Sequence, residues 1–73
     1  MLSENNIKHI LARVIANADE AKAEFDANRE DAFNDGRSLA YYEVLDTVKS
    51  ELRIAGADLK EFGLDGDLDN TYA

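Results

Sequence analysis

The run Asp65-Gly66-Asp67-Leu68-Asp69-Asn70 comes nearest, by residue type and spacing, to a ligand site. Carboxylates at positions 1, 3 and 5 open a calcium-binding loop, where hard oxygen ligands surround a hard cation. The pattern then departs. Asn70 stands where the sharp turn needs glycine, and the twelfth position, which would carry the bidentate glutamate, lies beyond Ala73. The expectation is an acidic tail with nonspecific cation affinity, without a metal site or other cofactor. His9 is the single histidine, and its helical neighbours Asn5, Asn6, Ala12 and Arg13 include no carboxylate to orient it as a base, so a surface position is expected. Ser3, Ser38 and Ser50 lack the setting of an activated nucleophile. The pairs Glu20/Glu24 and Asp31/Asp35 share helix faces, but the di-metal bundles also need Glu-x-x-His motifs, and none occurs. These residues do not point to an enzyme.

What does stand out is charge. The 73 residues carry 16 acids against 8 bases, a net charge of −8, which argues against direct binding to nucleic acid or to an anionic membrane. The imbalance is local: residues 19–35 hold seven acids and two bases, and residues 58–73 hold five acids and one base. Two explanations compete, a solvated acidic surface that maintains solubility and an electrostatic footprint for a basic protein surface. Asp19, Glu20, Glu24, Glu30, Asp31 and Asp35 are the residues that would form that footprint.

The elements that must position these groups are helices. Proline and cysteine are absent and all four glycines lie at position 36 or later. Ser3 is a good N-cap, and Ile7, Leu11, Val14, Ala18, Ala21 and Phe25 step by 4, 3, 4, 3, 4, the seam of a packed helix running from about Ser3 to Ala27, with Ile10 and Ile15 widening it. Asn28 is read as the cap of a second helix, with Asp31 as its capping-box partner. That helix takes its stripe from Phe33, Arg37, Ala40, Val44, Val48, Leu52 and Ala55, with Tyr41 and Leu45 on the shoulder. Gly36 would lie inside it at a cost of about 1 kcal/mol relative to alanine, while Asn34-Asp35-Gly36 offers an alternative break. Gly56 reads as a left-handed C-cap, Asp58 as the start of one short helical turn, and Gly63 as its end.

The fold expected is all-α, an antiparallel two-helix hairpin with a short third helical turn. Residues 1–63 form the hairpin domain and residues 64–73 an acidic C-terminal tail, frayed or docked through Leu64, Leu68 and Tyr72. A chain this small buries only about 60% of its unfolded surface, and without cysteine or a zinc site self-association is the natural remedy. Leu39 and Tyr42 lie well off the main stripe, so they are the expected apolar interface of a homo-oligomer completed as a helical bundle. Tyr41 is assigned to the hairpin core, and Arg37 to a snorkelling position or a pair with an acid of the first helix. No signal-like or membrane-spanning stretch is evident, so a cytoplasmic protein is expected.

The segment Phe33-Asn34-Asp35-Gly36-Arg37-Ser38-Leu39-Ala40-Tyr41-Tyr42-Glu43-Val44-Leu45-Asp46, with Gly56-Ala57-Asp58-Leu59 and Phe62-Gly63-Leu64-Asp65, resembles a group of small uncharacterised helical proteins of gut bacteria and their phages and mobile elements. In that group a GRxxAYYEVLD-type helix follows an amphipathic first helix. The likeness covers roughly residues 30 to 65 and brings no activity with it. In size and acidity, though not in any motif, the chain is also similar to phage-encoded inhibitors of host defence of the anti-CRISPR type. The function expected is therefore a non-enzymatic acidic protein-interaction module, in its most concrete form an inhibitor that occupies the basic nucleic-acid groove of a host protein. The alternative is a structural or assembly role through the apolar patch at Leu39 and Tyr42.

Overall fold

The computed structural model describes residues 2–72. Ser3 sits in extended backbone and its hydroxyl accepts a hydrogen bond from the Asn6 amide at 3.1 Å, which starts helix α1, Glu4–Ala27. Glu4 lies in the first turn, where a negative charge suits the helix dipole. Asn28 ends this helix and does not cap the next, contrary to the sequence reading: its N–H donates to the carbonyls of Glu24 and Phe25, each at 3.1 Å. The N-cap of helix α2, Ala32–Ile54, is Asp31, whose carboxylate accepts from the Phe33 amide at 2.9 Å. A reversal between antiparallel helices needs a few residues outside helical geometry, and Asn28 to Asp31 supply them.

Gly36 lies inside α2 with open space around the position of a β-carbon. Gly56 follows the α2 C-cap residue Ala55 with φ +78°, the left-handed conformation expected of a glycine cap. Asp58 then caps a single 3₁₀ turn, Leu59–Phe62, by accepting from the Lys60 amide at 3.1 Å, and Gly63 closes it at φ +75°.

From Gly63 the chain folds back along the hairpin. Asp67 starts a last short helix, α3, Leu68–Tyr72, by accepting from the amide of Asp69 at 3.0 Å. The tail is thus docked, and its three anchors are core residues: Leu64 is 1% exposed, Leu68 9% and Tyr72 6%. They pack with Leu11, Ala18, Leu45 and Phe62 in one cluster, ringed by half-buried Val14, Ile15, Tyr41, Tyr42, Val48 and Leu52. Of the two states the sequence leaves open for this segment, frayed or docked through Leu64, Leu68 and Tyr72, the structure has the docked one.

This docking also corrects the inward face of α2. The expected stripe included Phe33, Ala40 and Val44, yet Phe33 is 72% exposed and Val44 51%. The face turned to α1 is Ser38, Tyr41, Leu45, Val48 and Leu52, spaced 3, 4, 3, 4, with Ser38 and Leu45 fully enclosed. The C-terminal segment brings Leu64, Leu68 and Tyr72 to one side of the hairpin, and α2 turns Leu45 and Tyr42 toward that supply. All ordered elements among the described residues are helical, and the molecule measures 40 × 19 × 16 Å.

Candidate functional site

Three sets of polar side chains follow from this architecture. The first is the end of the hairpin where α1 passes into α2. Every base there is consumed within the chain: Lys22 pairs with Asp26 at 3.3 Å, Arg29 with the same carboxylate at 2.8 Å, and Arg37 with Glu24. Lys22 and Arg29 also lie over the Phe25 ring at 5.2 and 5.1 Å from its centroid, so both cations stay close to their own chain. The Arg37 to Glu24 pair is the cross-helix contact expected of Arg37.

The six acids proposed as a footprint divide at this end. Asp19 accepts the Tyr72 hydroxyl, Glu24 holds Arg37, and Asp31 caps α2. Glu20, Glu30 and Asp35 are exposed and have no hydrogen-bond or ion-pair partner among the described residues. Asp19 and Glu20 are consecutive, hence about 100° apart on α1, and Asp19 faces the docked tail. The set is therefore two surfaces, with the uncommitted charge at Glu20, Glu30 and Asp35.

The second set lies where α3 meets α2. The Tyr42 hydroxyl donates to Asp69, and Lys49 Nζ donates to the Gly66 carbonyl at 2.6 Å. A shallow cleft between them is lined by Asp46, Lys49, Ser50, Arg53, Asp67, Leu68 and Asp69. The Tyr42 phenol is pushed up to about 12, first by its hydrogen bond to Asp69, then by burial and by the charges of Asp69, Asp46 and Asp67. Tyr72 is raised further, first by burial and then by Asp19. Two phenol to carboxylate bonds thus clasp α3, one to each long helix.

Sequence reasoning missed this clasp, although Tyr42 and Tyr72 were both singled out. The sequence pattern makes Tyr42 an outward interface anchor. It is half-buried against its own tail, and of the expected patch Leu39 alone stays exposed, at 48%. The Asp65 to Asp69 run that resembles half a calcium loop has local work instead, since Asp67 caps α3 and also accepts from the Asn70 side chain at 2.8 Å. No group of three or more potential metal ligands occurs among the described residues.

The third set is at the far end. Lys8 bridges Glu4 at 3.8 Å and Glu61 at 3.4 Å, and lies 5.5 Å from the centroid of the Phe62 ring, tying the 3₁₀ turn to α1. His9 is exposed. Ser38 is 2% exposed and its hydroxyl has no partner among the described residues, beside a stretch of α1 where Ala18 and Ala21 are also buried.

The fold and surface define an all-α helical hairpin clasped by its own C-terminal segment, with acid in excess at one end. No family model, curated protein or solved structure matches the chain. No helix among the described residues is long and apolar enough to cross a membrane.

Proposed function

We propose that this chain is a non-enzymatic acidic interaction module that engages a basic protein surface through the turn end of the hairpin. The observation that supports it is the saturation of the local cations: Lys22, Arg29 and Arg37 are all paired to Asp26 or Glu24, which leaves Glu20, Glu30 and Asp35 to be neutralised from outside. Glu20 and Asp35 stand on the two long helices and Glu30 in the short turn that joins them, so little backbone order has to be created on binding. In its most concrete form the partner is a host protein with a basic groove for nucleic acid, the chain standing in for phosphates in the cytoplasm as a phage or mobile-element inhibitor.

Titration with poly-lysine, followed by capture from native host lysate at low and high ionic strength, tests this reading. Retained proteins should be rich in basic nucleic-acid-binding surfaces and be released as salt rises, because exposed charge pairs are screened beyond about 10 Å at 0.1 M salt. The triple variant Glu20→Gln, Glu30→Gln, Asp35→Asn should bind neither. Retention that is indifferent both to salt and to these substitutions refutes the acidic footprint.

A further inference from the structure

The sequence holds three phenylalanines, Phe25, Phe33 and Phe62, and two of them share one arrangement. Phe25 is followed by Asp26, and two cations lie over this ring and carboxylate: Lys22, 5.2 Å from the ring centroid and 3.3 Å from Asp26, and Arg29, 5.1 Å from the centroid and 2.8 Å from Asp26. Phe62 is preceded by Glu61, and Lys8 lies 5.5 Å from that centroid and 3.4 Å from that carboxylate. The reason is electrostatic. An aromatic face carries the negative part of the ring quadrupole, so a cation held by a neighbouring carboxylate gains a second attraction without giving up the first.

Phe33 lacks this cover. It stands 72% exposed in the first turn of α2, and no cation of the described residues lies over its ring. Glu30, Asp31 and Asp35 are its acidic neighbours in the chain. Gly36, one helical turn further on, adds no side chain that could shield it, and Arg37, the next position on the same face, is drawn off to Glu24. The turn end thus keeps an open ring among carboxylates after its own bases have been used.

We infer that Phe33 is the aromatic contact of the turn-end surface and takes an arginine side chain of the basic partner, its guanidinium laid on the ring and paired with a flanking carboxylate. This rests on the acidic footprint proposed above and names the side chain that meets it. Surroundings choose this occupant over an apolar pocket on the partner. From Arg29 to Arg37 the chain has no other large apolar residue, so sinking the ring into a dry pocket would also strip water from Glu30 and Asp35 without pairing them, which is costly. An arginine satisfies ring and carboxylate together. It is favoured over lysine because its planar, weakly hydrated guanidinium stacks on an aromatic face.

Calorimetric titration of the full chain with hepta-arginine and with hepta-lysine tests the inference. Wild type should bind hepta-arginine more tightly. Phe33→Leu, which keeps apolar bulk and loses the aromatic face, should weaken hepta-arginine by about two- to fivefold, the worth of an exposed cation–π contact, and change hepta-lysine less. Phe33→Trp should match or exceed wild type, and because the sequence has no tryptophan its emission should report the arriving guanidinium alone. Both variants should keep the helical circular dichroism of wild type, since the ring is exposed. An arginine to lysine preference that is the same in wild type and Phe33→Leu overturns the inference; if the Glu20, Glu30 and Asp35 triple variant still loses both peptides, the acidic footprint stands without it. Failure of both peptides to bind wild type overturns the two readings together.

Discussion

The two long sides of the hairpin both carry apolar side chains and meet different fates. On one, Leu64, Leu68 and Tyr72 arrive from the C-terminal segment and are enclosed with Leu45 and Leu11; on the other, Ile7, Ile10 and Val44 keep about half their surface in water. Composition alone does not decide between these outcomes. The covered side differs in having polar clasps at its edge: Tyr42 bonded to Asp69, Tyr72 to Asp19, and Lys49 to the Gly66 carbonyl. Hydrophobic burial is non-directional, so it can attract a segment without fixing its register. The hydroxyls and the ammonium supply that register.

The largest expected difference between the sides is in truncation of a buried against a half-exposed residue. Leu64→Ala should cost about 2–5 kcal/mol, the range for deleting an enclosed leucine, in urea denaturation, while Val44→Ala should stay within about 0.5 kcal/mol. Equal losses would erase the distinction between the two sides.

Next in size is an alkaline transition confined to the clasp. Both phenols are raised in the folded state, so the fold holds their protons more tightly than the unfolded chain does. Their stabilisation is therefore complete below the ordinary tyrosine value of 10.0 and is lost as pH climbs through about 12, where Tyr42 titrates. Amide exchange should accelerate in residues 64–72 before it does in α1 and α2, in step with tyrosinate absorbance. Tyr42→Phe should remove the earlier step, and a uniform loss of protection would sink the assignment.

Smaller again is Gly36. With an ordinary helical backbone and open space about its β position, Gly36→Ala should stabilise the protein by about 0.5–1 kcal/mol in thermal unfolding; destabilisation would place an unseen neighbour there. Smallest is Ser38→Ala. Removing a buried hydroxyl that has no partner among the described residues should be neutral or stabilise by up to about 1 kcal/mol, and a clear loss would reveal a hydrogen bond formed in solution.

Local chemistry was legible in the sequence and long-range choice was not. Ser3, Gly56, Asp58 and Gly63 were placed correctly because caps and left-handed glycines are decided within a few residues of chain. The inward face of α2 was misread because Leu39, Ala40, Tyr41, Tyr42, Val44 and Leu45 put apolar groups nearly all round the helix. A periodicity that broad admits more than one seam, and the docked segment selected Leu45 over Val44. The acids of the turn end were visible by counting. Their division into committed and free carboxylates was not, because it depends on Tyr72, 53 residues from Asp19.

That separation bears on the order in which the molecule assembles. Closing a loop costs entropy that grows with the number of residues enclosed, and the Arg37 to Glu24 bridge spans 13 where the Tyr72 to Asp19 bond spans 53. The two long rods should zip together first, on the fast timescale of helical proteins rich in near-neighbour contacts, and the final strap should latch afterwards. The same strap is then the first part to lift when the folded chain breathes, and an unlatched intermediate would present Leu45 and Ile15 to whatever lies nearby.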